Sequence, residues 1–446
     1  MNLKEKVRHT YHSVELIPLL FFTIKWLFIS GIIGLLSGSA SALFLLWLDW
    51  ATNYREQNNW IIALLPLAGL VIGYTYYNYG SDVVKGNNQL LEEIHNPKET
   101  VPLKMAPLVL LSTIITHLFG GSAGREGTAV QMGGSLSDQL TKVFNLRLRD
   151  RKLLLISGMS AGFASVFGTP LAGLVFGLEV FLVGGIRYNA ILPALFAALV
   201  ADWTCQSLGV VHTVYHIPFI PKFTPITMLY AVIAGLAFGL IARLFSIVMH
   251  WFQHQFLHYV KTPYLRPFFG GLIIAIAFYF IGTRYAGLGI PVIKQAFVEQ
   301  LPYYDFILKL LFTAFTLGCG FKGGEVTPLF FIGAALGNLL SLFIPLPLAL
   351  LAGMGFVAVF AGASNTPIAC TLMGLELFGI ESGLFIAIAC IVAYIFSGHS
   401  GIYGSQIIET PKHGLFGRDS GKSIQGIREE DQKNMRKMVK GKAVDA

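Results

Sequence analysis

The stretch that decides the fold occurs twice in this chain of 446 residues, as FASVFGTPLAGLVFGLEVF at residues 163–181 and as FAGASNTPIACTLMGLELF at residues 360–378. The two copies are separated by 197 positions. A second pair repeats at a separation of 199, with Gly-Arg-Glu-Gly-Thr at residues 124–128 and Gly-Gly-Glu-Val-Thr at residues 323–327. Two halves with matched, interrupted helices are typical of transport proteins built from inverted repeats, whose substrate site lies near the middle of the membrane.

The composition places the chain in a membrane. Hydrophobic residues make up 54% of it and charged residues only 13%, against about 25% charged in soluble domains. Residues 1–16 and 405–446 hold 20 of the 56 charges, which leaves 36 for the other 388 residues. Soluble enzymes and DNA-binding proteins are therefore excluded. The net charge of +8 needs no nucleic-acid partner, because basic loops and tails hold the cytoplasmic side of membrane proteins.

The apolar segments predict an all-α protein with two kinds of helix. Seven segments approach the roughly 20 residues needed to cross a bilayer, at 18–49, 60–78, 190–210, 225–252, 268–287, 305–320 and 380–397. Seven others are short and interrupted by glycine, at 103–121, 128–143, 153–167, 170–185, 328–345, 347–362 and 366–379. Broken helices are tolerated in a membrane where they line a cavity or are buried in protein, which favours a transporter or a channel.

The predicted organisation has three parts. Residues 1–16 form an amphipathic cytoplasmic segment without a cleavable signal, residues 17–404 form the membrane domain, and residues 405–446 form a mobile, polar cytoplasmic tail. Within the membrane domain the repeat halves are residues 17–210 and 211–404. Four cysteines without paired spacing predict small core residues rather than disulfides or metal ligands, and no cofactor or metal motif occurs.

Glu126 is the first candidate for function, because glycines surround it and an apolar run follows, so a helix is predicted to begin there. A helix N-terminus inside the membrane offers unpaired N–H groups and the positive end of the dipole to an anion. A carboxylate here could compete with the anion and swing away once protonated, acting as both gate and proton carrier. The neighbouring Gly124, Arg125 and Gly127 are expected to complete the anion site. The alternative is an N-capping glutamate tied to Arg125.

Glu325 is the second candidate and precedes Pro328, which suits the first turn of a helix. Thr327 could present its hydroxyl to an ion or cap that helix. The alternative for Glu325 is a structural pair with Lys322.

Two further positions are predicted to contact an anion. Asn87 follows Gly86 at another predicted helix start, where its amide could donate to an anion, although an ordinary N-cap is the competing interpretation. Tyr403 closes the last apolar run. Its hydroxyl could donate to an anion, or the ring could serve as an interfacial anchor.

Other polar residues are interpreted as structural. Glu179 and Glu376 occupy matched ends of the repeated helices and are expected to bond to backbone at the inner interface. The histidines at 250, 254 and 258, and those at 212 and 216, are spaced to lie on one face of a helix. An interfacial polar stripe is favoured for them over a metal site.

These motifs together resemble the CLC family of anion channels and anion/proton antiporters. The matching segments appear in family order over about residues 20–404, namely Gly-Arg-Glu126-Gly, the helix start at Gly168-Thr-Pro, Gly-Gly-x-x-x-Pro328 and Gly-x-Tyr403-Gly. The resemblance implies an all-α polytopic membrane protein of CLC-type fold. Its two inverted-topology halves contain broken and re-entrant helices, and it forms a homodimer with one pore per subunit. It also implies that Glu126 is the external gate.

Three departures from the ordinary family pattern resemble its fluoride-selective branch, the bacterial fluoride/proton antiporters. The Gly-Ser-Gly-Ile-Pro segment is absent and Gly86-Asn87-Asn88 takes its place, Val180 stands where chloride antiporters have a second acidic residue, and Glu325 and Thr327 replace apolar residues. By that resemblance Asn87 takes the pore position of the missing serine and Glu325 adds a second carboxylate. Fluoride is a strong acceptor, and a protonated carboxyl group is a short, strong donor.

The resemblance implies export of fluoride driven by protons, in the cell membrane, with both termini in the cytoplasm and no cofactor. The closest alternative is a chloride/proton antiporter or a chloride channel of voltage-gated type on the same fold. An intramembrane enzyme is a distant alternative, because no serine or aspartate motif completes a site with His117.

Overall fold

The protein is helical almost throughout. The computed structural model describes the backbone of residues 3–431 and 433, and statements on side chains concern residues 16–414, 417–431 and 433. Within these residues, sixteen of the α-helices form two consecutive series of eight, and a further helical segment covers residues 424–431. The first series is α1 (Leu3–Gln57), α2 (Leu65–Tyr79), α3 (Asn87–His95), α4 (Met105–Leu118), α5 (Glu126–Val143), α6 (Leu148–Phe167), α7 (Pro170–Glu179) and α8 (Ile191–Ser207).

The second series repeats the first in the same order. It consists of α9 (Pro225–Tyr259), α10 (Arg266–Ile281), α11 (Ile290–Ala296), α12 (Asp305–Gly318), α13 (Val326–Leu340), α14 (Leu348–Ser364), α15 (Pro367–Phe378) and α16 (Gly383–Phe396). Two residue pairs form a minimal parallel sheet, β1 (Leu182–Val183) with β2 (Ile407–Ile408). The all-α prediction is confirmed, while α11 and both strands carry no signal in the apolar pattern.

Five stretches of the described chain are long and apolar enough to cross a membrane. They are Leu16–Gln57, Asn59–Tyr79, Tyr188–Ser207, Pro225–Tyr259 and Pro263–Ile281. The patterns at 305–320 and 380–397 predict two more complete spans, but α12 and α16 have only 14 residues each. Both end early because the chain turns inward, α12 into the glycine-rich loop before α13 and α16 into the loop that carries Tyr403.

The loop before α5 and the loop before α13 meet and join the two halves. Gly124 and Gly324 form an antiparallel bridge, in which each N–H donates to the carbonyl oxygen of the other, at N···O distances of 2.5 and 2.8 Å. The helices α5 and α13 begin two residues later, so their N-termini lie side by side. The bridge corrects the sequence alignment of the halves: here the offset is 200 rather than 199, and Glu325 corresponds to Arg125, not to Glu126.

Glycine-on-glycine contacts hold the two helices of each half together. Gly133 of α5 lies against Gly158 of α6, and Gly333 of α13 lies against Gly355 of α14. At each of the four positions a methyl group would overlap the carbonyl oxygen of the facing glycine. Small residues of this kind let helix backbones approach closely in membranes, where packing replaces the hydrophobic effect.

Glu179 and Glu376 cap helices reciprocally across the two halves. The carboxylate of Glu179, at the end of α7, accepts from the N–H groups of Ile368 (3.3 Å) and Ala369 (3.0 Å) at the start of α15. That of Glu376 accepts from Leu171 (2.9 Å) and Ala172 (2.8 Å) at the start of α7. The predicted bonding to backbone is confirmed, and each half thus satisfies donors that the other leaves open.

The predicted boundary at residue 404 falls inside packed structure. Beyond it, β2 pairs with β1, and Ile408 and Ile424 are buried. Lys412 donates from Nζ to the carbonyl oxygen of Tyr394 (2.7 Å) and to Ser397 Oγ (2.9 Å), and burial lowers the pKa of its ammonium well below the usual range. The predicted tail therefore packs on the membrane domain in its first part, and residues 434–446 lie outside the described residues.

The structure confirms the prediction for the cysteines and contradicts the one for two of the histidines. Residues 210–224 form no helix, so His212 and His216 share no helical face, and His212 instead faces Asp202 at 3.7 Å. On α9, the rings of His254 and His258 stack at 6.5 Å. The four cysteines are buried and unpaired, as the sequence predicts.

Replacing Gly333 by alanine should lower the free energy of unfolding by about 1–3 kcal/mol, because backbone on both sides must move to admit the methyl group. The measurement is thermal unfolding of the detergent-purified protein. Gly414→Ala is the matched control, since no atom lies near a methyl group there. Equal stability of the two variants would contradict the close crossing of α13 and α14.

Candidate functional site

Glu126 lies at the point where the two halves meet. It is fully buried as the first residue of α5, yet its carboxylate reaches the start of the other half. Oε2 accepts from the N–H of Thr327 and from the N–H of Arg125, both at 3.1 Å, and Oε1 accepts a short hydrogen bond from Thr327 Oγ1. The carboxylate thus occupies the anion position at the N-terminus of α13. The capping alternative is confirmed in its tie to Arg125, but the carboxylate caps α13 and not its own helix.

Arg125 and Gly124 lie next to the carboxylate of Glu126. The Nε of Arg125 lies 3.6 Å from Glu126 Oε1 and has no hydrogen-bond partner among the described residues. A methyl group at Gly124 would come within 2.9 Å of Glu126 Oε2 and within 2.8 Å of the carbonyl oxygen of Gly324. The glycine is therefore required by the close approach of the carboxylate and of the second loop.

A second carboxylate lies beside the first and is differently bonded. Glu325 precedes α13, and its Oε2 is buried without a hydrogen-bond partner among the described residues. A methyl group at Gly127 would lie 3.6 Å from this oxygen and 3.0 Å from Nδ2 of Asn87. Asn87 and Glu325 therefore converge on Gly127 from opposite elements, and the open oxygen of Glu325 is available to a proton or a ligand.

The structure contradicts the structural alternatives for Glu325 and Asn87. Lys322 donates to the carbonyl oxygen of Val84 (3.4 Å) and lies over the ring of Tyr76 at 4.2 Å. The structure shows no ion pair from it to Glu325, so the predicted neutralising pair is wrong. Asn87 is the first residue of α3, and the N-cap position is held by Gly86, so the N-cap interpretation of Asn87 is wrong. Its Oδ1 is also buried and unpartnered among the described residues.

Tyr403 is an interior residue, only 3% exposed, so the interfacial-anchor interpretation is wrong. It lies within electrostatic range of Glu325 and Glu126. The loop that carries it is tied to α3, because the N–H of Ser405 donates to Oδ1 of Asn88 at 3.0 Å. Tyr403 is thereby brought to the same region as Asn87, from the opposite end of the sequence.

Gln406 anchors this loop and gives no signal in the sequence. It is fully buried, and its Nε2 donates to the carbonyl oxygens of Val180 and Ser364, both at 2.7 Å. Its Oε1 accepts from Nδ2 of Asn365 at 2.9 Å. One side chain therefore joins the ends of α7 and α14 to the segment after Tyr403.

Aromatic rings enclose the other side of Thr327. A cavity of about 20 Å³ lies between Arg125, Thr327 and the rings of Tyr215, Phe330 and Phe356. Phe330 and Phe356 stack at 3.9 Å between ring centroids. A space of this size holds about one water molecule, and ring edges carry partial positive charge. The chain has 35 phenylalanines, and the sequence alone does not show which of them lie here.

Buried cations lie behind the first loop, and sequence reasoning missed them. Lys309 is fully buried and donates to the carbonyl oxygens of Tyr285 (3.1 Å) and Gly287 (2.6 Å), and no carboxylate of the described chain pairs with it. Arg55 donates to the carbonyl oxygen of His117 at 3.0 Å, and His117 Nε2 lies 3.2 Å from that of Gly124. Arg55 also pairs with Glu56 at an N···O distance of 3.2 Å, so Lys309 is the basic residue in this group that lacks a carboxylate partner among the described residues. Lone basic residues in apolar segments were the available signal.

The architecture and the site together define a class of protein. An all-helical inverted repeat, with two half-helix N-termini meeting at a buried carboxylate, is the arrangement of a membrane protein that moves small anions. The family model described as "Voltage gated chloride channel" matches residues 68–398. The chain therefore belongs to the voltage-gated chloride channel, or CLC, family.

Individual relatives refine this assignment. The chain is 52% identical over 410 residues to a "Chloride/fluoride channel protein" of Pseudomonas syringae pv. tomato, covering 90% of this chain and 91% of that protein. It is 26% identical to an "H(+)/Cl(-) exchange transporter ClcA" of Vibrio vulnificus, over 79% of this chain and 82% of the other.

Solved structures confirm the two-half helical fold. A crystal structure of a CLC-type fluoride/proton antiporter matches with a TM-score of 0.84 and 35% identity, over 86% of this chain and 98% of that one. A slow cyanobacterial Cl⁻/H⁺ antiporter matches with a TM-score of 0.75 and 20% identity, over 91% and 97%. The second likeness concerns the fold alone.

Replacing Gln406 by leucine should lower the free energy of unfolding by about 2–4 kcal/mol, because two carbonyl oxygens and the amide of Asn365 lose their partner in a buried place. Thermal unfolding in detergent measures the effect. Gln425→Leu is the control, since Gln425 is exposed in the same segment and its side-chain amide donates to the exposed Glu429. A change no larger than that of the control would contradict the anchoring role.

Proposed function

We propose that this protein is a fluoride/proton antiporter that exports fluoride at the expense of the proton gradient. The observation that carries the proposal is the carboxylate of Glu126 on the N–H and hydroxyl groups of Thr327, with a second, open carboxylate at Glu325 beside it. The relatives named for fluoride, at 52% and 35% identity, support the same activity.

Glu126 would act as the gate because its carboxylate and an anion need the same donors. While ionised, the carboxylate holds the N–H and hydroxyl groups of Thr327. A protonated carboxyl group is neutral and accepts less strongly, so it would release these donors to an incoming anion. Entry of the anion and uptake of the proton are then linked at one position, which would couple the movements of the two ions.

Glu325 and Asn87 would adapt the pathway to fluoride. Fluoride is small and strongly hydrated, so it needs donors to replace its water. The amide of Asn87 supplies a neutral donor, and a protonated Glu325 would supply a short, strong one. The small cavity beside Thr327, with room for about one water molecule, also suits a small anion.

The assembly and setting follow from the family resemblance. We propose a homodimer with one pathway per subunit, in the plasma membrane with both termini in the cytoplasm. The chain would act as a transporter and not as an enzyme, since the relatives reported above are channels and transporters. Fluoride and protons are its proposed substrates, with no cofactor.

Proteoliposomes should release fluoride faster than chloride, and an inward proton gradient should drive fluoride against its own gradient. Ion-selective electrodes for both anions, with an internal pH dye, measure this. Chloride flux equal to or above fluoride flux would support the rival chloride/proton exchanger. Fluoride flux indifferent to the pH gradient would indicate a passive channel instead.

Glu126→Gln should abolish proton movement coupled to fluoride, because the amide keeps the shape but carries no proton.

Glu325→Gln should slow fluoride turnover about tenfold or more, since one charge-assisted hydrogen bond contributes about 1.5–3 kcal/mol. The exposed Glu381→Gln serves as control. Unchanged stoichiometry in the first variant, or unchanged turnover in the second, would show that its assigned role is wrong.

A further inference from the structure

A crevice opens between the first third of α1 and the turn that joins α5 to α6. It has a volume of about 710 Å³, within the usual range for small-molecule sites. Its lining separates into two kinds of side chain. Phe22, Phe28 and Phe144 are apolar, and Lys25, Arg147 and Arg149 are basic.

The apolar side belongs to a helix that stands away from the rest of the protein. Leu19, Leu20 and Phe21 of α1 are each 60% or more exposed, although consecutive positions of an α-helix point about 100° apart. Further along, Phe28 remains 62% exposed while it meets Phe144 edge to face at 6.3 Å. This part of α1 therefore offers apolar surface suited to contact with lipid hydrocarbon, and the crevice is open toward it.

The basic side has a surplus of positive charge. Asp150 is the single acidic residue of the lining and is held by Lys25, at an N···O distance of 2.6 Å. Arg147 and Arg149 are exposed, and neither guanidinium group makes a hydrogen bond or an ion pair with a residue that the structure describes. Two guanidinium groups are thus free to meet an anion at the edge of an apolar crevice, and guanidinium matches phosphate geometry well.

We propose that this crevice binds one anionic phospholipid from the surrounding membrane. The headgroup phosphate lies between Arg147 and Arg149, and an acyl chain follows the rings of Phe22 and Phe28. Basic pockets between helices on the cytoplasmic side are suited to such headgroups, and the turn that carries Arg147 and Arg149 has the charge of a cytoplasmic loop. The turn ends α5, the helix that begins at Glu126, so the lipid would hold the far end of that helix.

The test is native mass spectrometry of the full chain after exchange into detergent with phosphatidylglycerol or phosphatidylcholine. We expect retention of one phosphatidylglycerol per subunit and weak retention of phosphatidylcholine. Arg147→Gln with Arg149→Gln should weaken retention of phosphatidylglycerol about thirtyfold, since each basic residue near an anionic surface contributes about a factor of five. The assay uses no transport, so its failure and that of the proposed function are separate outcomes.

The control removes the same number of charges nearby. Lys98 and Lys142 are exposed and lie outside the crevice, and Lys98→Gln with Lys142→Gln should retain the lipid as the parent does. Equal loss in both double variants would overturn the site, as would equal retention of the two lipids. Unchanged lipid mass, with the arginine variant turned from dimer to monomer, would also overturn it and assign the surface to a second subunit.

Discussion

The backbone pairing of Gly124 with Gly324 is the constraint on which the rest of the structure depends. It places the N-termini of α5 and α13 side by side, so two positive helix ends and several unpaired N–H groups face one small region. Such an arrangement is unfavourable unless a negative group lies there. The carboxylate of Glu126 supplies it by bonding to Thr327 of the opposite half. The same charge that stabilises the closed junction is therefore the group that an anion must displace.

Close backbone contact follows from this constraint. The loops can pair only because residues 124 and 324 lack side chains, and α5 and α13 can stay parallel to their neighbours only where glycines face each other. Reciprocal capping by Glu179 and Glu376 joins the halves a second time, away from the site. The two halves are thus joined by backbone donors and carboxylates, which a membrane interior strengthens, as well as by an apolar core in which Phe163 stacks on Phe360.

The sequence was enough to predict which residues belong to the site, but not which hydrogen bonds they form. Glycine spacing and intramembrane charge were enough to single out Glu126, Glu325, Asn87 and Tyr403, because charged and polar groups are rare in apolar segments. The contacts of Glu126 with Thr327 and of Lys322 with Val84 were not predicted, since contacts across 200 residues or more leave no local pattern. Gln406 was missed because a buried glutamine in a polar tail looks like any solvated one, and Lys309 was passed over beside more familiar motifs.

The sequence by itself determined that the chain is a helical membrane protein of two repeated halves, because apolar length and glycine interruptions are properties of each segment alone. It also determined the helix starts at residues 126 and 326 to within a residue. Only the tertiary structure decided that the offset at the junction is 200, that Glu126 caps the other half, and that the segment after residue 404 anchors the loop of Tyr403. These outcomes depend on which backbone groups meet across the halves, and a backbone donor is the same in every residue except proline.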